Sequence, residues 1–282
     1  MELELAQKTV LITGASGSLG HAIADAFARE GACLVLQGNS RFDDLKRWTR
    51  EQSWRDRARL VEVDLTRPGL LEPALDAVLG KDERIDVAVA NAGHWPREKR
   101  MLHEIDEERW RSTLDANLMS AVRTAAATMR RLERLGPRPD ESGAAIVLVG
   151  STAGRFGERE HSDYAAAKAA LLGLARTLKN EITRLDRYAR VNVVEPGWTI
   201  GHVPRPEIEK AGVLRRVTRT MALRQIGRAE DVARAILFLS SSAASRHVSG
   251  EKLAVAGGME GRTLWDDEEI DEAAIRRRLR PD

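Results

Sequence analysis

The chain has 282 residues, 43% of them hydrophobic, with a formal net charge of +2 and a single cysteine, Cys33. This length and apolar content suit one α/β domain with a substantial core, and the near balance of charge gives no reason to expect nucleic acid or an anionic membrane as a partner. One cysteine excludes an internal disulfide and fits a reducing compartment. With no signal peptide and no apolar run near the ~20 residues that span a bilayer, we expect a cytoplasmic protein. No Cys or His cluster predicts a metal site.

Seven short apolar runs alternate with amphipathic helical patterns. Each run is too short for a helix and nearly continuous in apolar residues, as a strand buried on both faces requires. The runs are TVLIT (9–13), CLVLQ (33–37), RLVEV (59–63), IDVAVA (85–90), AAIVLVG (144–150), RVNVVE (190–195) and KLAVA (252–256). The alternation predicts an α/β fold, a Rossmann-type doubly wound parallel sheet of about seven strands with helices on both faces.

The chain contains no internal repeat and no Pro/Gly/Ser-rich linker. We therefore expect one dinucleotide-binding domain over residues 1–261, with a substrate loop at about 200–222. The tail, 262–282, runs acidic and then basic, which suits a helix dipole and favours a short surface helix.

The first strand is followed by a glycine-rich turn, TGASGSLG, with Gly14, Gly17 and Gly20. Glycines allow a tight turn and a close backbone approach to a pyrophosphate, and the next helix directs free N–H groups at the negative charge. Such turns also serve as simple strand–helix connections, but the position after the first strand favours dinucleotide binding. The candidate phosphate-binding residues of this turn are Gly14, Ser16, Gly17, Ser18, Leu19 and Gly20.

The end of the second strand reads LQGNSR, with Gly38 where an acid would hold a ribose 2′-hydroxyl. Without that carboxylate a 2′-phosphate is not repelled, and Arg41, beside Asn39 and Ser40, could pair with it. We expect NADP(H) to be preferred, with NAD(H) possible; a solvated Arg41 is the alternative. After the third strand, Asp64, next to Leu65, could bind the adenine amino group or cap the following helix.

Tyr164 and Lys168 lie four residues apart in SDYAAAKAAL, which places them on one helical face. A free tyrosine has a pKa near ~10 and is a poor base at neutral pH, but a nearby ammonium would lower that pKa. The run could equally be a packing helix, so the remaining motifs have to decide.

Further motifs resemble the shorter, single-domain branch of the short-chain dehydrogenase/reductase family, from TGASGSLG to Gly257–Gly258. ANAG resembles its turn after the fourth strand, DANL its active-site asparagine, and EPGW its turn near the nicotinamide. Ser151 precedes Tyr164 by the family's thirteen residues. The resemblance implies a catalytic set of Asn117, Ser151, Tyr164 and Lys168, and further cofactor contacts from Asn91, Ala92, Gly93, Tyr164, Lys168, Pro196, Gly197 and Thr199.

Three positions depart from that family pattern. Ser18 stands where the shorter branch has glycine, giving the TGxxGxxG spacing of the longer branch; Gly201 stands where a threonine contacts the carboxamide; and Ala256 replaces an acid. We expect Ser18 to be tolerated, with its hydroxyl facing a phosphate, and Ala256 to be a structural variation.

The resemblance implies an NAD(P)(H)-dependent oxidoreductase that interconverts a ketone or aldehyde and an alcohol. Tyr164 would exchange the proton, Ser151 would hold the carbonyl oxygen, Lys168 would also bind the nicotinamide ribose, and Asn117 would hold a relay water. The alternatives are a catalytically silent dinucleotide sensor and a nucleotide-sugar epimerase or dehydratase. The Ala/Leu-rich helix YAAAKAALLGLARTL could pack in the core of the chain, but the resemblance implies that it forms an interface in a homo-oligomer, a dimer or tetramer. Candidate substrate contacts are Trp95, Arg155, Phe156, His161, Trp198 and His202.

Overall fold

The computed structural model describes residues 2–201, 209, 212–265 and 267–278. Within them, seven strands form one parallel sheet in the order β3-β2-β1-β4-β5-β6-β9, which confirms the predicted doubly wound fold. The strands are β1 (Thr9–Ile12), β2 (Cys33–Gly38), β3 (Ala58–Glu62), β4 (Val87–Ala90), β5 (Ala145–Val149), β6 (Arg190–Pro196) and β9 (Lys252–Val255). Each boundary lies within two residues of its predicted run.

Helices cover both faces of the sheet. They are α1 (Ser18–Arg29), α2 (Phe42–Arg50), α3 (Leu71–Leu79), α4 (Glu107–Leu114), α5 (Ser120–Leu135), α6 (Thr152–Phe156), α7 (Ser162–Glu181), α8 (Val213–Thr218), α9 (Ala229–Ser240), α10 (Ser242–Ser245) and α11 (Glu272–Arg278). One apolar layer joins α1, α2 and α9 to the sheet, and the opposite layer joins α3, α5 and α7. Because the strands are buried on both sides, they need the continuous apolar runs seen in the sequence.

The strand order reverses direction at β1, whose neighbours are β2 on one side and β4 on the other. In an open parallel sheet, the crevice outside the carboxyl ends of the strands at this reversal is where ligands bind. The glycine-rich turn follows β1, and the ANAG, Ser151 and EPGW motifs follow or end β4, β5 and β6. The topology therefore brings every predicted site segment to one edge.

Several features were absent from the predicted elements. Strands β7 (Thr199–Ile200) and β8 (Gly227–Arg228) form a second, two-stranded sheet, and helix α8 lies inside the segment expected to be a loop. The tail, for which a short surface helix was predicted, contains the short and largely exposed helix α11. None of the helices in the described ranges is both long enough and apolar enough to cross a bilayer.

Candidate active site

The glycine-rich turn leaves no room for side chains at two of its glycines. Gly14 has φ +64°, and a Cβ there would lie 2.7 Å from the Cα of Ala92; a Cβ on Gly20 would lie 2.5 Å from the carbonyl oxygen of Gly14. Gln37 fixes the turn from β2, because its Oε1 accepts from the Gly14 N–H at 2.9 Å while its Nε2 donates to the Val63 carbonyl at 2.7 Å. Gln37 stands one residue before Gly38 and was not among the predicted site residues.

The residues present fit a dinucleotide pyrophosphate. Helix α1 begins at Ser18, its preceding residue Gly17 provides no side-chain cap, and its first turn carries no acid. The first N–H groups of a helix have no intrahelical partners, so this end offers donors and a positive dipole to an anion. Gly17 is also open, since a Cβ there would come no nearer than 3.8 Å to its closest neighbour. Ser16 is half-buried beside this turn, whereas the Leu19 side chain belongs to the core.

The end of β2 carries one exposed cation. Gly38 is the last residue of the strand, and the following Asn39, Ser40 and Arg41 are exposed. Arg41 Nε lies 3.2 Å from a carboxylate oxygen of Asp44, and both side chains are largely exposed. An exposed ion pair of this kind contributes at most about 1 kcal/mol. A stronger anion can therefore easily replace Asp44 as the partner of Arg41.

Asp64 forms a local turn. Its Oδ1 accepts from the N–H and the hydroxyl of Thr66 at 2.9 and 2.7 Å, and these hydrogen bonds hold the pKa of Asp64 below its ordinary value. It does not cap the next helix, because α3 begins only at Leu71. The Leu65 carbonyl accepts from Arg123 at 2.7 Å, which ties this loop to α5.

The ANAG segment is held against β1. The hydroxyl of Thr13 accepts from the N–H groups of Asn91 and Ala92 at 3.1 and 3.2 Å. The Asn91 amide nitrogen donates to the carbonyls of Thr13 and Gly14 at 3.0 and 3.1 Å. The first glycine of the phosphate turn and the fourth strand are therefore fixed to each other.

Asn117 lies in a π-helical segment, Asp115–Met119, between α4 and α5. Such segments are rare and are frequently found at functional sites. The Asn117 side chain is fully buried: its Oδ1 accepts from the His94 N–H at 3.1 Å, and its Nδ2 donates to the carbonyls of His94 and Thr113, both at 3.0 Å. A Cβ on Gly93 would lie only 2.6 Å from Oδ1. The amide therefore fixes the loop after β4.

Lys168 is buried beside this asparagine. Its Nζ donates to the carbonyl of Val149 at 3.0 Å and lies 3.3 Å from the position a Cβ on Gly93 would take. Burial lowers the pKa of Lys168 to about 8. The ammonium is therefore placed between β5 and the loop after β4, at the carboxyl edge of the sheet.

Tyr164 is only 3% exposed, and the Nζ of Lys168 lies 5.9 Å from its ring centre. Burial raises the pKa of Tyr164 to about 12, although the hydrogen bond with Ser151 and the charge of Arg262 oppose the rise. The spacing to Lys168 predicted a lowered pKa for Tyr164, and the structure differs because burial raises this pKa. A phenol with a high pKa keeps its proton at neutral pH, which suits a proton donor.

Ser151 stands at the N-cap of α6. Its Oγ accepts from the Ala153 N–H at 3.1 Å, so its own hydroxyl hydrogen remains available to a second acceptor. Ser151 also forms a hydrogen bond with the Tyr164 phenol, so the two hydroxyl groups lie next to each other. The structure thus brings Ser151, Tyr164 and Lys168 together, with Asn117 behind Lys168.

The start of α7 is fixed by a buried carboxylate that the sequence argument missed. Asp163, next to Tyr164, is fully buried and accepts from Arg109 Nε and the Thr113 hydroxyl, both at 2.9 Å. Burial alone would raise the pKa of Asp163, but these hydrogen bonds outweigh it and lower the pKa. Two donors from α4 therefore fix the start of the helix that carries the tyrosine.

Two of the departures from the family pattern contact each other. The Ser18 hydroxyl donates to the Gly201 carbonyl at 2.5 Å. Gly201 has φ +88°, and a Cβ there would lie 2.9 Å from Ser18 Oγ, so the serine occupies space that a residue-201 side chain would need. The hydroxyl of Thr199 donates to the Gly197 carbonyl at 3.0 Å. Ala256 lies directly behind Gly197, at 2.9 Å from a Cβ built there.

A cavity of about 620 Å³ opens over Ser151 and Tyr164. Four of the six candidate substrate residues line it, namely Trp95, Phe156, His161 and Trp198. The rings of Trp95 and His161 are stacked at 4.3 Å. Arg155 does not line the cavity and lies over the Phe156 ring at 5.2 Å; His202 lies outside the described residues.

Each ring nitrogen of His161 lies next to a backbone carbonyl group. Its Nε2 lies 3.0 Å from the Pro96 carbonyl and its Nδ1 3.2 Å from the Arg159 carbonyl. Both nitrogens therefore face backbone carbonyl groups within the wall, and the ring stacks against Trp95.

The opposite wall comes from segments that the sequence argument left apart. Helix α8 contributes Val213, Arg216 and Val217, and the beginning of the tail contributes Arg262, Thr263 and Leu264. The tail was expected to be only a surface helix, yet its first three residues close the cavity before the chain reaches α11. Nothing in their hydrophobic pattern indicates this position.

Comparison with known proteins shows which family this chain resembles over most of its length. A family model described as enoyl-(acyl carrier protein) reductase matches residues 14–260. The 3-oxoacyl-(acyl-carrier-protein) reductase FabG of Escherichia coli is 31% identical over 254 residues, which cover 89% of this chain and 97% of that protein. A cis-4-hydroxycyclohexanecarboxylate dehydrogenase of Sinomonas cyclohexanicum is 35% identical over 258 residues, 90% and 96% of the two chains.

Solved structures show the same fold. A short-chain dehydrogenase/reductase of Brucella melitensis, of the glucose/ribitol dehydrogenase type, superposes with a TM-score of 0.79 and 27% identity over 92% of this chain and 98% of its own. An NADH-dependent reductase, A1-R′, responsible for alginate metabolism, gives a TM-score of 0.78 and 26% identity over 91% and 98% of the two chains.

The fold and the matched relatives define an NAD(P)(H)-dependent oxidoreductase that interconverts a carbonyl group and an alcohol. The alternatives of a silent dinucleotide sensor and a nucleotide-sugar epimerase or dehydratase are not favoured. The chain belongs to the short-chain dehydrogenase/reductase family.

Proposed function

We propose that this protein is an NADP(H)-dependent carbonyl reductase for small or medium-sized substrates, with Tyr164 as the proton donor. The observation that carries the proposal is the meeting of the Tyr164 phenol and the Ser151 hydroxyl at the floor of the cavity, with the Lys168 ammonium behind the tyrosine ring. These groups lie at the carboxyl edge of the sheet, where the glycine turn offers its donors.

Each residue has a distinct part in this mechanism. Bound NADPH supplies the hydride for the carbonyl carbon. Ser151 donates a hydrogen bond to the carbonyl oxygen and holds it in line, which stabilises the negative charge that develops there. Tyr164 gives its proton to the same oxygen. Lys168 would hold the nicotinamide ribose and, through a water held at Asn117, would return a proton to the tyrosine.

The NADP preference rests on the end of β2. No carboxylate directly follows Gly38, and the exposed Arg41 pairs weakly with Asp44. The glycine turn would hold the pyrophosphate through Ser16, Gly17 and the first N–H groups of α1, and Pro196, Gly197 and Thr199 would border the nicotinamide. Asp64 and Leu65 would border the adenine. Because a solved relative is named as NADH-dependent, the choice depends on this chain's own residues.

Replacement of Arg41 tests the preference. We expect Arg41→Ser to raise the KM for NADPH by about tenfold or more, because a charge-assisted contact contributes about 1.5–3 kcal/mol, and to leave the KM for NADH nearly unchanged. Steady-state kinetics with both cofactors measure this. Arg67→Ser, which removes an equally exposed arginine paired with Asp64, is the control, and an equal rise for both cofactors would contradict the role of Arg41.

The lowered pKa of Lys168 predicts a pH dependence. Its pKa of about 8 means that the ammonium is present below this pH and is lost above it, whereas Tyr164 keeps its proton throughout. We expect kcat/KM for NADPH, which reports ionisations of the free enzyme, to be constant between about pH 6 and pH 7 and to fall above about pH 8. In Lys168→Arg, whose guanidinium does not titrate, the maximum should be lower and the fall near pH 8 absent. If kcat/KM fell in the same way in both proteins, the ionisation near pH 8 would belong to a group other than Lys168.

The activity itself is tested with NADPH over a carbonyl panel. The curated relatives are named for a 3-oxoacyl group and for a hydroxyl on a carboxylated ring, so the panel should contain oxoacyl thioesters, cyclic ketones, oxo acids and their esters. An enoyl thioester belongs in it as well, because the matching family model is described as an enoyl reductase. NADPH binding without turnover of any carbonyl would favour a sensor over the reductase.

We also propose a cytoplasmic homo-oligomer, a dimer or tetramer, formed through α7. The outward face of this helix presents small residues at Ala166, Ala169, Ala170 and Gly173, all exposed. A Cβ on Gly173 would meet nothing within 4 Å. Small residues at this spacing allow a second helix to approach closely, which supports packing against another copy of the chain.

A further inference from the structure

We propose that this reductase binds substrates that carry a carboxylate close to the reacting carbonyl, and that Arg262 is the residue that binds the carboxylate. The proposal rests on the function proposed above and names the substrate class of that same cavity. It starts from the side chain that the tail inserts into the cavity wall, where the sequence had indicated only a surface segment.

The Arg262 guanidinium makes one hydrogen bond within the wall, but not all of its donors have partners. One of its terminal nitrogens, Nη2, lies 3.3 Å from the Thr152 hydroxyl and 3.8 Å from a Glu158 carboxylate oxygen. The second distance is too long for a hydrogen bond. Its Nε is shielded from solvent and has no hydrogen-bond partner among the described residues, and the side chain as a whole is only 18% exposed.

An unpartnered buried donor of this kind is costly in a folded protein. Leaving it unsatisfied costs about 1–3 kcal/mol, and more when the group is charged. Polar groups in this state therefore call for an explanation, of which a bound ligand is one. The Arg262 side chain lies in the wall of a cavity of about 620 Å³ and keeps 18% of its surface exposed. A ligand in the cavity can therefore approach the guanidinium, and a carboxylate matches its planar donors best.

The charge of the cavity wall agrees with an anionic substrate. In the described part of the chain, the wall carries more cationic than anionic side chains. The cations are Lys99, Arg159, Arg216 and Arg262, and the carboxylates are Glu158 and Glu160. A cleft lined with a surplus of one sign concentrates ligands of the opposite sign.

The position of Arg262 also limits the substrate's length. Its partner Thr152 directly follows Ser151, and consecutive Cα atoms are about 3.8 Å apart. The charge of Arg262 is also close enough to Tyr164 to act on its ionisation. The carboxylate and the carbonyl should therefore be separated by only a few carbon atoms, as in a compact oxo acid.

The test compares oxo acids with their methyl esters. For 2-, 3- and 4-oxo acids, the wild-type protein with NADPH should show kcat/KM at least about 30-fold above that of the matching ester for the best member. In Arg262→Gln the acid-to-ester ratio should fall to about 3 or less, mainly through KM for the acid, and Arg262→Lys should keep part of the ratio because it keeps the charge. Arg219→Gln removes an exposed cation, paired with Asp267 outside the cavity wall, and should keep the wild-type ratio.

Each outcome decides between the two proposals. Tyr164-dependent turnover of esters with no preference for acids, or the same ratio in wild type and Arg262→Gln, would overturn the carboxylate site and leave the reductase standing. If no compound turns over, binding decides: malonate should raise the Tm of the NADPH-bound wild type in a concentration-dependent way and should lose this effect in Arg262→Gln. An equal rise in both proteins would overturn the site. Unchanged NADPH binding by Arg262→Gln would show that the variant is folded.

Discussion

Tyr164→Phe should lower kcat/KM for carbonyl reduction about 10³-fold while NADPH still binds. The substitution removes one oxygen atom and the proton it would donate, and general acid catalysis contributes about 10²–10⁴-fold. The aromatic ring stays in its buried position next to Lys168, so the shape of the cavity floor is kept. Steady-state rates of NADPH oxidation and a fluorescence titration of NADPH measure the two effects separately.

The chain contains its own control for this experiment, because it has only two tyrosines. The ring of Tyr188 lies against Arg187 and Arg246, with the cations 4.7 and 4.4 Å from its centre, and these contacts do not need the hydroxyl. Tyr188→Phe should keep the wild-type rate. A Tyr164→Phe protein that reduces carbonyls as fast as Tyr188→Phe would show that another group donates the proton.

Gly20→Ala should lower the free energy of unfolding by about 3 kcal/mol and weaken NADPH binding about 10- to 100-fold. A methyl group at this position would lie 2.5 Å from the Gly14 carbonyl oxygen and 2.6 Å from the Ala15 Cα. Both are backbone atoms, so the turn itself has to move, and overpacking of this kind costs about 1–3 kcal/mol or more. The N–H donors at the start of α1 would then no longer point at the pyrophosphate. Urea denaturation and a binding titration measure the two losses.

Gly17→Ala is the matched substitution in the same turn. Its Cβ would lie 3.8 Å from the nearest atom, and the residue has an ordinary φ of −87°, so the free energy of unfolding should change by less than about 1 kcal/mol. Equal destabilisation by the two substitutions would mean that the close packing at Gly20 is not what fixes the turn.

The fold was predictable because its signals are local. The run AAIVLVG is apolar throughout, and β5, Ala145–Val149, is buried at every residue. The same continuity marks β1 and β6. The order of TGASGSLG, ANAG and SDYAAAK along the chain then indicated the family, and a doubly wound topology brings the ends of their strands to one edge.

Site residues were predictable only where they belong to a short sequence motif. Asp163 and Arg109 lie 54 positions apart and meet through α4 and α7, which no periodicity indicates. The tail was read from its charge order, and its entry into the cavity through Arg262 depends on the path of the chain after β9. The pKa of Tyr164 could not be inferred from its spacing to Lys168, because burial of the phenol has the largest effect and raises the pKa.

Ser18 and Gly201 show why two departures from a pattern need a structure to be understood. Considered separately, each residue departs from the family pattern for no evident reason. Together they form one contact, in which the serine hydroxyl reaches the carbonyl of a residue whose positive φ favours glycine. The substrate side of the molecule is thereby joined to the phosphate turn.

The most direct test of the central claim follows the hydride itself. NADPH deuterated at the transferring position of nicotinamide C4 is incubated with the protein and the best carbonyl of the panel, and the alcohol is analysed by mass spectrometry. We predict one deuterium on the carbinol carbon with the wild type and with Tyr188→Phe, and almost none in the same time with Tyr164→Phe. Alcohol without deuterium, or equal incorporation by Tyr164→Phe, would contradict a hydride transfer assisted by this tyrosine.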